Sequence, residues 1–271
     1  MSFKKYRIIL VLLIFIMFYA IMISSISSSE KNYRNDVLVT AHRGSSIKAK
    51  DNSVEAIKLA IEEEADYIEL DVRKTKDNKL VLSHDDIFIK SSGAAISISN
   101  NTLKEINYYK DIFNIKKEKV VTLEKALKMI KGKAKLNIDL KVNNDEQEIC
   151  KLLVKLIEKY GVEKEVIVTS TDYNALINIK GLNNNIKTGY ITKKVTNSFN
   201  IEDIDALSIA YEGLDREIVE IFHKNNKEVF VWTVNNEVDA ERAIYLGVDN
   251  IITNDVIIIK KLIKKISSNS K

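Results

Sequence analysis

Proline is missing altogether from the 271 residues, and glycine occurs only eight times. Turns and helix ends therefore fall largely to Asn, Asp and Ser, whose short side chains bond their own backbone. The single cysteine, Cys150, excludes an intrachain disulfide. Its setting, Glu148-Ile149-Cys150-Lys151-Leu152-Leu153, puts it on the buried side of a helix as a packing residue and not a nucleophile. The basic stripe of a nucleic-acid binder is missing too: the lysines scatter among 38 acidic residues for a net charge of +4. No nucleic acid is expected as partner; an anionic small molecule or a membrane surface suits the charge better. What is present, 45% hydrophobic and 30% charged residues, is ordinary for a globular chain, with disorder confined to the ends. The length suits one large α/β barrel, typically ~250 residues.

There is one long apolar run. Residues 8–23 are sixteen apolar side chains, preceded by Lys4, Lys5 and Arg7 and followed by a Ser-rich stretch. That length lies between a signal-peptide core (~7–15) and a bilayer span (~18 or more), and counting on to Ile26 reaches across a thin bilayer. The positive flank keeps the N-terminus in the cytoplasm and places everything after it outside. An uncleaved membrane anchor over residues 1–26 is expected, with a cleaved signal peptide and a buried core helix as alternatives. The absence of a following cysteine excludes a bacterial lipoprotein anchor. Residues 27–35 form a polar linker, 36–265 a globular domain and 266–271 a flexible tail. The domain is then extracytoplasmic, at the cell membrane on a single pass, or secreted if the run is cleaved.

In the domain, β-branched runs at 37–41, 67–72, 135–141, 165–170, 187–191, 206–210, 229–234 and 250–253 alternate with helical patterns at 54–64, 123–130, 145–159, 173–179, 216–224, 237–245 and 256–265. Eight strands alternating with helices predict a closed parallel TIM (β/α)8 barrel. A further strand at 79–83, after the turn Thr75-Lys76-Asp77-Asn78, predicts a hairpin arm that brings His84 back near Asp71. Residues 86–121 hold no clear barrel strand and are expected to form a small insertion over the barrel mouth.

The chemistry-bearing residues sit at strand ends. Ala41-His42-Arg43-Gly44 closes the first strand, Ile68-Glu69-Leu70-Asp71-Val72 makes up the second, and Ser83-His84-Asp85 ends the hairpin arm. Residues i and i+2 of a strand share a face, so Glu69 and Asp71 project together; Asp139 and Lys141 repeat the spacing. Each is unremarkable alone: an E-x-D pair is usually a solvated edge, a strand-end His a hydrogen-bonded core residue, Asp139/Lys141 an ion pair. Their conjunction at strand C-terminal ends, where barrel enzymes keep their sites, favours a functional centre. Three converging carboxylates make a hard oxygen site for one divalent cation, Mg2+ or Ca2+, and not for zinc, which would want more His or Cys. His223, on a helix, is expected at the surface, and Glu62-Glu63-Glu64 on a solvated helix face.

The chain resembles the barrel-fold glycerophosphodiester phosphodiesterases. That family's pattern reads His-Arg-Gly, Pro-Glu-Asn, Glu-x-Asp, His-Asp, Glu-x-Lys and, late in the chain, Trp-Thr-Val-Asn. Here stand His42-Arg43-Gly44, Lys50-Asp51-Asn52, Glu69-Leu70-Asp71, His84-Asp85, Asp139-Leu140-Lys141 and Trp232-Thr233-Val234-Asn235, with the ending Gly247-Val248-Asp249-Asn250-Ile251-Ile252-Thr253-Asn254-Asp255 also similar. The resemblance spans roughly residues 37–265. It implies that His42 and His84 are general acid and base, that Glu69, Asp71 and Asp139 hold the cation, that Arg43 and Lys141 bind phosphate, and that Trp232 lines the alcohol pocket. Asp51, Asn52 and Asp85 would support them. Asp139 is one methylene shorter than the family's Glu, so the ion must shift, a water intervene or the strand move inward. Lys50-Asp51 replaces the rigid Pro and the longer Glu, and Lys90-Ser91-Ser92-Gly93 stands where family members often show Arg-Thr-Thr-x-Gly.

The activity so implied is metal-dependent hydrolysis of glycerophosphodiesters to glycerol 3-phosphate and an alcohol. A lysophospholipid or an envelope polyglycerol phosphate is the alternative substrate, and a non-catalytic barrel binding phosphorylated ligands the alternative class.

Overall fold

The computed structural model describes Met17 and residues 36–89, 95–112, 119–143, 145–196 and 198–269. The chain divides into two compact units, Met1–Tyr33 and Arg34–Lys271. The apolar run at 8–23 lies outside the described residues except for Met17, and so does the segment at 90–93. Among the described residues no helix is long and apolar enough to cross a membrane.

The second unit is the eight-stranded parallel barrel. Its staves are β1 (Leu38–Ala41), β2 (Tyr67–Lys74), β6 (Lys135–Leu140), β7 (Val166–Ser170), β8 (Lys187–Thr192), β9 (Ala206–Ala210), β10 (Glu228–Trp232) and β11 (Asn250–Thr253), each hydrogen-bonded to the next, with β1 against both β2 and β11 to close the ring. Helices α1 (Val54–Glu62), α3 (Leu123–Ile130), α4 (Glu146–Tyr160), α5 (Tyr173–Leu182), α6 (Arg216–Lys224), α7 (Glu237–Leu246) and α8 (Val256–Asn269) follow the strands. In place of proline and glycine, side-chain oxygens start the helices: Ser53, Thr122, Asp172, Asp215 and Asn236 each accept an N–H of the first turn. Two of the eight glycines, Gly161 and Gly247, end α4 and α7 in the left-handed conformation. Cys150 is fully buried on α4, as its pattern predicts.

Side-chain alternation builds the site. Tyr67, Ile167, Ala206, Phe230 and Ile252 pack together as an apolar floor, with Tyr67 and Phe230 edge to face at 6.0 Å. Two residues further along their strands the same inward face carries Glu69, Thr169, Ser208 and Trp232, and these line the cavity above the floor. A polar layer thus sits above an apolar one, at the C-terminal ends of the strands.

The hairpin arm is β3 (Leu80–Leu82), antiparallel to β2. Residues 86–121 are more structured than the sequence suggests. β4 (Ile87–Ile89) and β5 (Ala95–Ser97) form a second antiparallel pair, followed by α2 (Leu103–Ile112). Ile98, Ile106 and Val120 of the insertion form a small core with Val81 of β3. Thr102 and Glu105 cap α2 reciprocally, Thr102 N to Glu105 Oε2 at 2.8 Å and Glu105 N to Thr102 Oγ1 at 3.2 Å. Strands of three residues are too short to show a period, and the apolar residues of α2 are few, which is why these three went unpredicted. Two smaller expectations also shift. α8 runs on to Asn269 with Ile266 buried, so the helix covers most of the predicted tail. Glu63 is not solvated: its side chain is 8% exposed and bonds Lys48 Nζ at 2.7 Å. His223 is partly exposed and pairs with Asp249 at 2.8 Å.

Candidate active site

The His42-Arg43-Gly44 turn leaves β1 by a sharp reversal. Arg43 and Gly44 both take positive φ, 56° and 80°, and a Cβ on Gly44 would stand 2.7 Å from the Ala56 backbone of α1. Only glycine fits that approach. The turn directs two groups at the carboxylates of β2 and a third at its main chain. Arg43 N donates to Glu69 Oε2 at 2.7 Å, Arg43 Nε lies 3.2 Å from Asp71 Oδ2, and Gly44 N bonds the Glu69 carbonyl at 3.2 Å. Asn52, also at positive φ, grips Asp71 twice: its Nδ2 donates to Asp71 Oδ2 at 2.9 Å and its Oδ1 accepts Asp71 N at 3.1 Å. Asp51 holds Arg43 Nη1 at 3.1 Å. The Lys50-Asp51-Asn52 turn is therefore ordered without its proline, by bonds to β2 and to Arg43.

Glu69, Asp71 and Asp139 present oxygens within 4.8 Å of one another, with Asp71 and Asp139 side by side in register across β2 and β6. Lys141 reaches Asp139 Oδ2 at 2.5 Å and Asp71 Oδ1 at 3.1 Å. The sequence expectation set Lys141 on the phosphate; in the structure its ammonium lies on two of the three carboxylates. Burial first, then Asp71 and Asp139, push the Glu69 carboxyl well above the ordinary range. Burial alone would also raise Asp71, but Lys141, Asn52 and Arg43 hold it below. Asp139 is pushed up by burial, against the pull of Lys141. Burial opposes the charge of Lys141, yet Asp139 and Asp71 hold it above the ordinary lysine range. Lys141 on Asp71 and Asp139 and Arg43 on Asp71 supply two positive charges for three carboxylates, which leaves the cluster short of positive charge. Asp139 Oδ1 is buried with no hydrogen-bond partner. A hard divalent cation suits that donor set and the orphaned oxygen together.

The two histidines stand on the same cavity, about 170 Å³ in volume, with Arg43, Glu69, Asp139, Lys141 and Trp232. His42 Nδ1 is 2.7 Å from Asn254 Oδ1, which also accepts Ser46 Oγ at 3.0 Å. With that amide oxygen as acceptor, Nδ1 carries the hydrogen and Nε2 keeps its lone pair. Burial pushes His42 below the ordinary imidazole range, the Asn254 bond opposing and Arg43 reinforcing. His84 is more open, 45% exposed, and its Nδ1 donates to Asp85 Oδ1 at 2.8 Å. Its main chain is clamped by Arg73, whose Nε and Nη2 donate to the His84 carbonyl at 2.9 and 2.7 Å.

All the residues expected at the site thus come together. Arg73 was not among them, although it continues the Glu69, Asp71 spacing by one more step of two and so shares their strand face. Asn254 lay within the family-like ending but carried no assigned role, because only the fold brings it 2.7 Å from a residue 212 positions away.

Three comparisons bear on this constellation. The sequence model of the glycerophosphoryl diester phosphodiesterase family matches residues 42–258. A glycerophosphodiester phosphodiesterase of Caldanaerobacter subterraneus subsp. tengcongensis is 33% identical over 238 residues, 84% of this chain and 98% of the relative. Among solved structures, the glycerophosphodiester phosphodiesterase of Thermotoga maritima superposes with a TM-score of 0.68 at 28% identity, covering 83% of this chain and 98% of that one. A phosphodiesterase of Oleispira antarctica, in complex with the product sn-glycerol-3-phosphate, superposes with a TM-score of 0.75 at 24% identity, over 84% of this chain and 96% of that one, a likeness of fold. The chain belongs to the glycerophosphoryl diester phosphodiesterase family.

Proposed function

We propose that the chain hydrolyses glycerophosphodiesters to glycerol 3-phosphate and an alcohol, at the cavity between His42 and His84. One observation carries the assignment. Of the five buried side-chain polar atoms without a hydrogen-bond partner among the described residues, Trp232 Nε1 and Asp139 Oδ1 belong to this cavity and stand open, while Arg43 Nε, also on it, has only the ion pair with Asp71 at 3.2 Å. Buried polar atoms are almost always paired, so one donor and one acceptor left open around one space describe what should fill it. The donor fits an anion's oxygen, and the acceptor fits a cation.

Glu69, Asp71 and Asp139 would hold one divalent cation, Mg2+ or Ca2+, which when bound supplies charge to offset that of the phosphoryl oxygens. Arg43 offers its guanidinium to a phosphate oxygen, held in place by Asp71 at Nε and Asp51 at Nη1. Trp232 covers one ester arm. His42, kept neutral by burial with its Nε2 lone pair open, takes a proton from the attacking water. The water oxygen bonds to phosphorus, the ester bond to the alcohol breaks, and His84 gives the leaving oxygen its proton. Asp85 and Arg73 fix the position from which it does so. Replacing His42 or His84 with Ala should cut turnover at least ~10²-fold, the usual size of an acid–base contribution. Near-native turnover in both variants would rule out this division of labour.

The cationic flank and apolar run at 4–23 support an extracytoplasmic placement of the domain. Protease added to intact cells should then degrade it, and protection equal to that of a cytoplasmic marker would refute the placement.

A further inference from the structure

The cavity between the histidines has two unlike halves. Its charged groups Arg43, Glu69, Asp139 and Lys141 stand on or just beyond β1, β2 and β6. The strands across the ring bring no charge: Thr169 of β7, Ile191 of β8, Ser208 of β9, Trp232 of β10 and Ile252 of β11. β9 lies across the ring from β2, so Ser208 faces the wall that carries Glu69. With the phosphate on the charged side, the ester arm under Trp232 lies in this neutral half.

Two side chains bordering that half are buried, polar and uncommitted. Asn137, beside Glu69 in register on β6, is 1% exposed, and its Oδ1 accepts Thr169 Oγ1 at 2.8 Å, which leaves Nδ2 for the cavity. Ser208 is 2% exposed and flanked in register by Ile191 and Phe230. Among the described residues neither Asn137 Nδ2 nor Ser208 Oγ has a hydrogen-bond partner. An inward position above an apolar floor otherwise takes an apolar residue, as Ile191 shows next to Ser208. Buried polar groups kept there call for something to bond them. To an ammonium arm this half offers one ring and no carboxylate. To a polyol arm it offers an amide donor and a hydroxyl that both donates and accepts, with Ile191, Ile252 and the Trp232 ring against the carbons.

We propose that Asn137 and Ser208 set the specificity of the reaction by hydrogen-bonding the two free hydroxyls of the glycerol arm. The arm under Trp232 is then glycerol, and not the released alcohol that the family resemblance sets there. This rests on the phosphodiesterase reading and names the residues that read its substrate.

The test measures kcat/KM of the full chain on three diesters with the same second arm, choline or ethanolamine. The first arm is glycerol, propane-1,3-diol, which lacks the middle hydroxyl, or propane-1,2-diol linked through C1, which lacks the terminal one. The native chain should favour glycerol over each diol at least ~10-fold, the weight of one hydrogen bond. Ser208→Ala and Asn137→Ala should flatten these ratios to about one, one ratio each, with the rate on the matching diol within about twofold of native. Ser208→Ala deletes a single oxygen and decides by itself if Asn137→Ala does not fold. Equal fall on all three arms would mark a structural role and overturn the inference. Equal native rates on the three arms, or ratios unchanged in the variants, would show that the two side chains hold water only, and would overturn it while leaving the phosphodiesterase intact. No turnover of any arm would overturn the phosphodiesterase reading itself, and the inference with it.

Discussion

His42 and Glu69 show how burial sets the chemistry of single residues. Both are driven toward their neutral forms, in opposite directions along the pH axis. A lowered His42 keeps its lone pair when the solution turns mildly acidic. The acid limb of kcat/KM should therefore fall below pH ~6.5, the unperturbed imidazole value. A limb above neutrality would contradict a buried, neutral base. Glu69 runs the other way. Its raised carboxyl favours the folded chain while protonated, and that stability is lost as pH rises past the ordinary carboxylate value of ~4.3 toward and through the raised one. In EDTA, Glu69→Gln should therefore gain in Tm on the native chain as pH is raised from about 5 to 8. A gap that stays constant over that range would mean Glu69 is not held protonated. Sequence reached the residue types at this scale because E-x-D and His-Asp are adjacent in the chain. It did not reach Arg73 or Asn254 as working residues, since an Arg on a strand and an Asn in a loop have no chemistry until something is placed beside them.

At the scale of elements, the β1–α1 connection does the most positioning. Arg43, Gly44 and Asn52 all adopt positive φ within it, and each is fixed by a contact to β2 or α1. Gly44→Ala would force a Cβ into the Ala56 backbone and strain the left-handed residue. A loss of about 1–3 kcal/mol is expected, read as a Tm roughly 2–4 °C lower per kcal/mol, together with a fall in turnover as Arg43 shifts. A variant with native Tm and native turnover would show that the turn tolerates a side chain. The barrel strands were legible from their β-branched runs to within two residues at either end, because burial on both faces leaves near-continuous apolar sequence. β4, β5 and α2 were not. Asp86, which accepts bonds from Ser97 Oγ, Ser99 Oγ and Ser99 N, and the Thr102–Glu105 cap stabilise them through polar contacts that carry no period.

Across the whole molecule, a ring of staves brings residues 42, 69, 71, 84, 139 and 232 to one rim, and the fold gathers a charge imbalance there. A bound cation that relieves it stabilises the folded chain by mass action, by about 2.7 kcal/mol at a hundred times its Kd. Mg2+ or Ca2+ should raise Tm in the native chain and do so much less in Asp139→Asn. Equal shifts in both would place the ion elsewhere. Binding should also release a proton, since Glu69 must ionise to serve, and titration calorimetry in buffers of different ionisation enthalpy would read it directly.

The most direct measurement is release of glycerol 3-phosphate from glycerophosphodiesters by the full chain, with Mg2+, with Ca2+ and with EDTA. Release that depends on a divalent cation and stops in EDTA is expected. No release with any divalent cation, across choline, ethanolamine and glycerol arms alike, would contradict the assignment of glycerophosphodiester hydrolysis to this barrel.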